Sequence, residues 1–146
     1  MRYLGIDYGE KRIGLAISDA LGIIAGKLNT LENISWNNTV CELQKIINEH
    51  LVDKIIIGMP KNLKGEETKQ TLKVKEFILF LKEKIKIPVC EWNEIFTSKE
   101  SANVLIKADV SRKNRKKFID QLAAVLILQG YLDSLKINNP SDDNET

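Results

Sequence analysis

The spacing of apolar residues changes character several times along the chain. Arg2 to Tyr8, Arg12 to Ser18 and about Ile23 to Thr30 are short strand-like runs separated by glycine-containing turns, which predicts three adjacent antiparallel strands. From about Ser35 the period lengthens. Trp36, Val40, Leu43, Ile46, Ile47 and Leu51 recur at steps of three and four, the stripe of an amphipathic helix. Lys54-Ile55-Ile56-Ile57-Gly58 is then short and almost wholly apolar, as expected of a strand buried on both faces, and Pro60 ends it.

After the polar loop Lys61-Asn62-Leu63-Lys64-Gly65, Glu66 and Glu67 are expected to open a second helix, where the helix dipole favours negative charge. Its core face would include Leu72, Phe77 and Leu81, with Ile85 at its end. Pro88 introduces a strand from Val89 to Asn93 or Glu94. Thr97-x-x-Glu100 reads as a capping box starting a third helix, and a fourth spans about Lys113 to Leu135. Three strands followed by alternating helices and strands predict an α/β protein, a mixed sheet covered by helices. There is no internal repeat and no interdomain linker. One domain is expected over residues 1–138, followed by an acidic tail over 139–146 whose low hydrophobicity predicts disorder.

Composition narrows the function classes. At 146 residues and 43% hydrophobic, the chain can bury one real core. No stretch approaches the roughly 18 apolar residues of a membrane span and none resembles a signal peptide, so a cytoplasmic protein without membrane contact is expected. Cys41 and Cys90 lie far apart without a metal-ligand pattern, and two buried thiols are expected. His50 is the single histidine and no nucleophile motif accompanies it, which disfavours triad chemistry. The net charge is +2, yet Asp142, Asp143 and Glu145 all fall in the tail, so the rest of the chain is more basic than the total. That excess is consistent with nucleic acid as a partner.

The candidate chemistry starts at Gly5-Ile6-Asp7-Tyr8-Gly9-Glu10-Lys11-Arg12-Ile13-Gly14. A carboxylate ends a strand, a glycine lets a polyanion approach the main chain, and Lys11 and Arg12 can pair with phosphate oxygens. The same Asp-x-Gly also suits a plain turn. Glu94 ends the last strand and Asp120 precedes the apolar run Leu122 to Leu128. Ligands of open α/β sheets lie beyond the carboxyl ends of parallel strands, so Asp7 and Glu94 could converge if their strands are neighbours. Glu94 is equally explained as a solvated charge. Asp120, before a helix apolar around nearly all its circumference, should lie near the interior and need a cation, either a metal or Lys116 or Lys117. Three carboxylates without histidine suit Mg²⁺ or Mn²⁺. The run Arg112, Lys113, Arg115, Lys116 and Lys117 would grip phosphates, or else form a solvated helix start.

These segments together resemble the YqgF/RuvX family, small bacterial proteins described as Holliday junction resolvases or pre-16S rRNA nucleases. Gly5 to Asp19 is similar to the family's opening signature, Ile56 to Gly65 to its second block, and Lys116 to Leu132 to its last, in family order. The resemblance implies an RNase H-like fold, with three antiparallel strands extended by two parallel ones and flanked by helices. It implies a metal-dependent nuclease acting on pre-rRNA or branched DNA. Asp7, Glu94 and Asp120 would occupy the acidic metal positions, and Lys11 and Arg12 the basic pair after the first strand. Where the family usually has Asp-Glu-Arg-Leu-Thr-Thr, this chain has Asn93-Glu94-Ile95-Phe96-Thr97-Ser98. Ile95 cannot clamp a phosphate as arginine does, so a binding domain with little cleavage is the competing reading. Both a monomer and a homodimer are compatible with the sequence.

Overall fold

The computed structural model describes residues 1–60, 66–93 and 112–138, with the side chains of 112–121 and 137–138 outside that description. In chain order the elements are β1 (Tyr3–Asp7), β2 (Arg12–Ser18), β3 (Ala25–Glu32), α1 (Trp36–His50), β4 (Lys54–Met59), α2 (Lys69–Lys84), β5 (Val89–Asn93) and α3 (Arg112–Asn138). The five strands form one sheet in the order β3-β2-β1-β4-β5. β1 pairs antiparallel with β2, and β2 with β3, whereas β4 runs parallel to β1 and β5 parallel to β4. This is the three-plus-two mixed sheet expected from the sequence.

The apolar run of β4 is explained by burial on two faces. Ile55, Ile57 and Met59 enter the larger core under α1 and α2, together with Leu4, Ile6, Ile13, Leu15, Leu43, Phe77 and Leu81. Ile56 turns to the other face, where Ala124, Ile127, Leu128 and Leu132 of α3 cover it beside Tyr3 and Ala16. α1 begins where Ser35 Oγ accepts a hydrogen bond from the Asn38 N–H at 3.1 Å. It ends at Leu51, which adopts a left-handed conformation (φ 55°) and is exposed instead of continuing the apolar stripe.

Several sequence expectations are revised by local chemistry. β3 starts at Ala25 and not Ile23, because Asp19 Oδ1 accepts the Ile23 and Ile24 N–H groups at 2.7 and 3.1 Å and keeps both residues in the preceding turn. α2 starts at Lys69, not at Glu66. Thr68 and Thr71 cap each other's backbone reciprocally, and this sets the helix phase so that Thr71, Val74, Phe77, Ile78 and Leu81 face inward. Leu72, expected in the core, is therefore 53% exposed. Cys41 is exposed and Cys90 half-buried, so the expected buried pair does not form. The apolar run of α3 is buried on one side only: Ala123, Ala124, Ile127 and Leu128 are covered, while Leu122, Val125 and Leu126 are half-buried. The capping box Thr97-x-x-Glu100 and its helix, the loop 61–65 and the tail 139–146 lie outside the described residues. Among the described residues, no helix is long and apolar enough to cross a membrane.

Candidate functional site

The turn between β1 and β2 is built to be held still. A Cβ on Gly9 would meet the Arg12 carbonyl oxygen at 2.4 Å, so only glycine lets the turn close this tightly. Asn33 locks it from the end of β3, donating from Nδ2 to the Gly9 carbonyl at 3.0 Å and from its backbone N–H to the Lys11 carbonyl at 2.9 Å. From α2, Gln70 Nε2 donates to the Tyr8 carbonyl at 3.2 Å. Trp36 Nε1 at the start of α1 donates to the Tyr8 hydroxyl at 3.0 Å, and the Tyr8 ring packs 4.5 Å from that of Phe77. Lys11 and Arg12 are exposed on this clamped turn and line an open cleft of about 350 Å³ together with Glu10, Glu32, Asn33 and Ile34.

Asp7 is the last residue of β1, opposite Gly14 of β2 and half-buried. Strand alternation sets its face. Leu4, Ile6 and Tyr8 point into the α1/α2 core, so Tyr3, Gly5 and Asp7 belong to the side crossed by α3. There the helix lies almost on the strand. A Cβ on Gly5 would fall 2.7 Å from Leu128 Cβ and 3.2 Å from the Ala124 carbonyl oxygen.

The direction of α3 follows from successive contacts. Tyr131 meets Tyr3 edge-on with ring centroids 5.7 Å apart, and Leu128 and Ala124 meet Gly5, so α3 runs opposite to β1. Asp120 lies four residues, just over one helical turn, before Ala124, about 6 Å further along the axis, and its backbone therefore approaches the end of β1 that carries Asp7. The other end of α3 is anchored at the start of the strands. Lys54 Nζ donates to the Tyr131 hydroxyl at 3.0 Å, a bond that raises the lysine pKa. Gln129 donates to the Ile23 carbonyl at 3.0 Å and accepts the Ala25 N–H at 2.9 Å.

The remaining sequence candidates divide between the described and the undescribed. β1 and β5 are not neighbours: β4 lies between them, setting their axes about 10 Å apart. Glu94, directly after Asn93, lies outside the described residues. Arg112, Lys113, Arg115, Lys116 and Lys117 occupy the first turns of α3, where their side chains are likewise outside the description. Among the described residues no three His, Cys, Asp or Glu side chains gather closely enough to hold a metal. His50 stands at the far end of the sheet, its carbonyl accepting from Arg2 Nη1 at 2.9 Å. Sequence reasoning missed Asn33 and Gln70. An asparagine directly after a strand hinted at a turn role for the first, whereas nothing in the local pattern marked the second.

The chain matches the RuvX family profile, described as Holliday junction resolvase, over residues 1–134. It is 50% identical to a protein of Thermoanaerobacter pseudethanolicus named "Putative pre-16S rRNA nuclease", covering 93% of this chain and 99% of that one. It is 43% identical to a protein of the same name from Clostridium tetani, over 92% and 98% of the two chains. Among solved structures it is similar to Thermus thermophilus RuvC, with a TM-score of 0.55 and 12% identity over 92% of this chain and 95% of that one. The Fowlpox virus resolvase in complex with Holliday junction DNA is similar too, with a TM-score of 0.54 and 19% identity over 92% and 99%. At such identities these two show the fold alone, and it is the RNase H-like arrangement of the resolvases. Family match, relatives and fold agree, and the chain belongs to the RuvX family.

Proposed function

We propose that this protein is a nuclease that hydrolyses phosphodiester bonds in structured nucleic acid, with precursor 16S rRNA as its substrate and branched DNA as the alternative. The observation that carries this reading is Asp7 at the carboxyl end of β1, on the face where α3 delivers the backbone of Asp120. Asp7, Asp120 and Glu94 would hold Mg²⁺ or Mn²⁺. Carboxylate oxygens suit these hard cations, and the single histidine at the opposite end of the sheet takes no part. Cys90 and Trp92 of β5, the strand that Glu94 follows in sequence, belong to the α3 side.

The divalent ion would activate the attacking water and stabilise the departing oxygen. Lys11 and Arg12 neutralise the phosphate backbone next to the scissile bond, and the clamp of Asn33, Gln70 and Trp36 keeps them from drifting with the turn. The basic residues that open α3 bind phosphates on the other side of Asp7. Substrate choice follows the relatives named for pre-16S rRNA, whose identity of 43–50% far exceeds that of the DNA resolvases. The protein would work in ribosome biogenesis in the cytoplasm.

Asp7→Asn and Asp120→Asn should each lower cleavage by more than ~10²-fold, the scale of losing one electrostatic stabiliser of a transition state, while folding and binding persist. The measurement is cleavage of a precursor 16S rRNA fragment and of a four-way DNA junction, with Mg²⁺ or Mn²⁺. Wild-type rates in both variants would overturn the mechanism. A second reading is favoured by the neutral Asn93 and Ile95 around Glu94: a nucleic-acid-binding domain with little cleavage. Tight binding by the wild type without cleavage of either substrate would select it.

A further inference from the structure

α2 carries cations where a helix disfavours them. Lys69 is its first residue and Lys73 lies one turn later, with no acid in the first turn, although the helix dipole makes this end positive. Both lysines are exposed, and neither forms an ion pair among the described residues. Glu67 is engaged instead by Lys75. The Thr68–Thr71 cap engages the Thr68 and Thr71 N–H groups within the chain itself, so those two are not offered to an anion, whereas the lysine side chains are.

The location is specific. Gln70, between the two lysines, donates to the Tyr8 carbonyl of the β1–β2 turn at 3.2 Å. Lys73 Nζ sits 5.4 Å from the centre of the Trp36 ring, whose Nε1 bonds the Tyr8 hydroxyl. Lys69 and Lys73 are thus tied to the same clamped turn as Lys11 and Arg12. They lie on the α1/α2 side of the sheet, opposite the basic start of α3. A cation held over an aromatic face costs less conformational freedom to recruit than a free lysine.

We propose that Lys69 and Lys73, with the partly exposed Trp36, form a second phosphate-binding surface that holds the nucleic-acid backbone on the α1/α2 side of Asp7. The substrate then straddles the end of the sheet at which β1 finishes, gripped by α2 on one side and α3 on the other. This rests on the nuclease reading above for the identity of the polyanion. It goes beyond that reading in assigning a second face and a substrate wide enough to reach both.

The test is binding of a fluorescently labelled RNA hairpin with a duplex stem, followed by anisotropy without divalent metal across a salt series. The full-length double variant Lys69→Gln/Lys73→Gln is compared with wild type and with Lys82→Gln/Lys84→Gln, which removes the same charge at the other end of α2. Each lost phosphate contact lowers the slope of log K against log salt by roughly 0.7 to 0.9, so the first variant should lose between one and two units of slope and the second none. Equal slopes in the two variants would overturn the second surface while leaving the nuclease reading intact. A wild type that neither binds the hairpin nor cleaves precursor rRNA would overturn both. Circular dichroism melts of each variant separate lost binding from lost folding.

Discussion

The two faces of the sheet are packed by opposite means. Under α1 and α2 the core is made of bulk: Leu4, Ile6, Leu43, Ile57, Met59, Phe77 and Leu81, all at most 1% exposed. Under α3 the closest approach is made by small residues, with Gly5 and Ala124 at the crossing and Gly130 against Trp92, while Tyr3, Ile56, Ile127, Leu128 and Leu132 fill the space around it. The first face supplies stability, because apolar area removed from water scales with side-chain size. The second supplies position, because a helix that rests on a glycine has its distance from the strand set by backbone and not by adaptable side chains. Both Asp7 and the helix bearing Asp120 belong to the second face.

The largest expected effect on stability lies on the bulky face and should leave the proposed site alone. Leu81 is fully buried near the far end of α2, away from the β1–β2 turn. Leu81→Ala should cost about 2–5 kcal/mol, measured by urea unfolding. Cleavage per folded molecule at low temperature should stay near wild type. A large loss of turnover without loss of stability would break the division between the faces.

Gly5→Ala on the other face reverses that balance. Replacing a strand glycine by alanine would ordinarily stabilise, since glycine loses more freedom on folding. Here the new Cβ has nowhere to go, 2.7 Å from Leu128 Cβ, and α3 must move. Overpacking of this kind costs about 1–3 kcal/mol. Cleavage should fall about 10²-fold, since a displacement of an ångström at a catalytic group has that scale. Retained cleavage with an unchanged melting curve would show that α3 does not set the site.

What could be read from the chain before its structure follows the same division. The bulky face announced itself through periodicity: the all-apolar run of β4 and the stripe of α1 led directly to burial on two faces and to a helix. Where phase depended on a cap, reading failed by several residues. Glu66 and Glu67 suit a helix start, but the Thr68–Thr71 pair fixes it later and turns Leu72 outward. The apolar length of α3 suggested burial all round, yet one helix on one sheet covers a single side, leaving Leu126 half-buried. Asp7, Lys11 and Arg12 could be singled out as candidates because a strand end, a glycine and two cations are adjacent in sequence, and the strand end and turn are where the structure has them. The close approach at Gly5 was not, because its partner lies more than a hundred residues away and nothing at Gly5 names it. Nor were Gln70 and Asn33, which act on the turn through single hydrogen bonds to carbonyls.

The smallest effect tests how the anchored end of α3 is fixed. Gln129 reaches from α3 to the Ile23 carbonyl and the Ala25 N–H, so the β2–β3 turn is the floor on which that end rests. Asp19 shapes this turn by accepting the Ile23 and Ile24 N–H groups, and these bonds lower its pKa below the ordinary carboxylate value. A carboxylate whose pKa is depressed on folding stabilises the fold above its unfolded pKa of about 3.9, and that contribution is lost as pH falls through the folded value. Asp19→Ala should therefore lower the melting temperature slightly at neutral pH, and the gap from wild type should close as pH drops below about 4. Because Asp19 lies half-buried at a surface turn, the gap reports the turn and not a charge sunk in the core. A difference that persisted undiminished in acid would mean that the side chain's packing, not its ionised hydrogen bonds, supports the floor beneath Gln129.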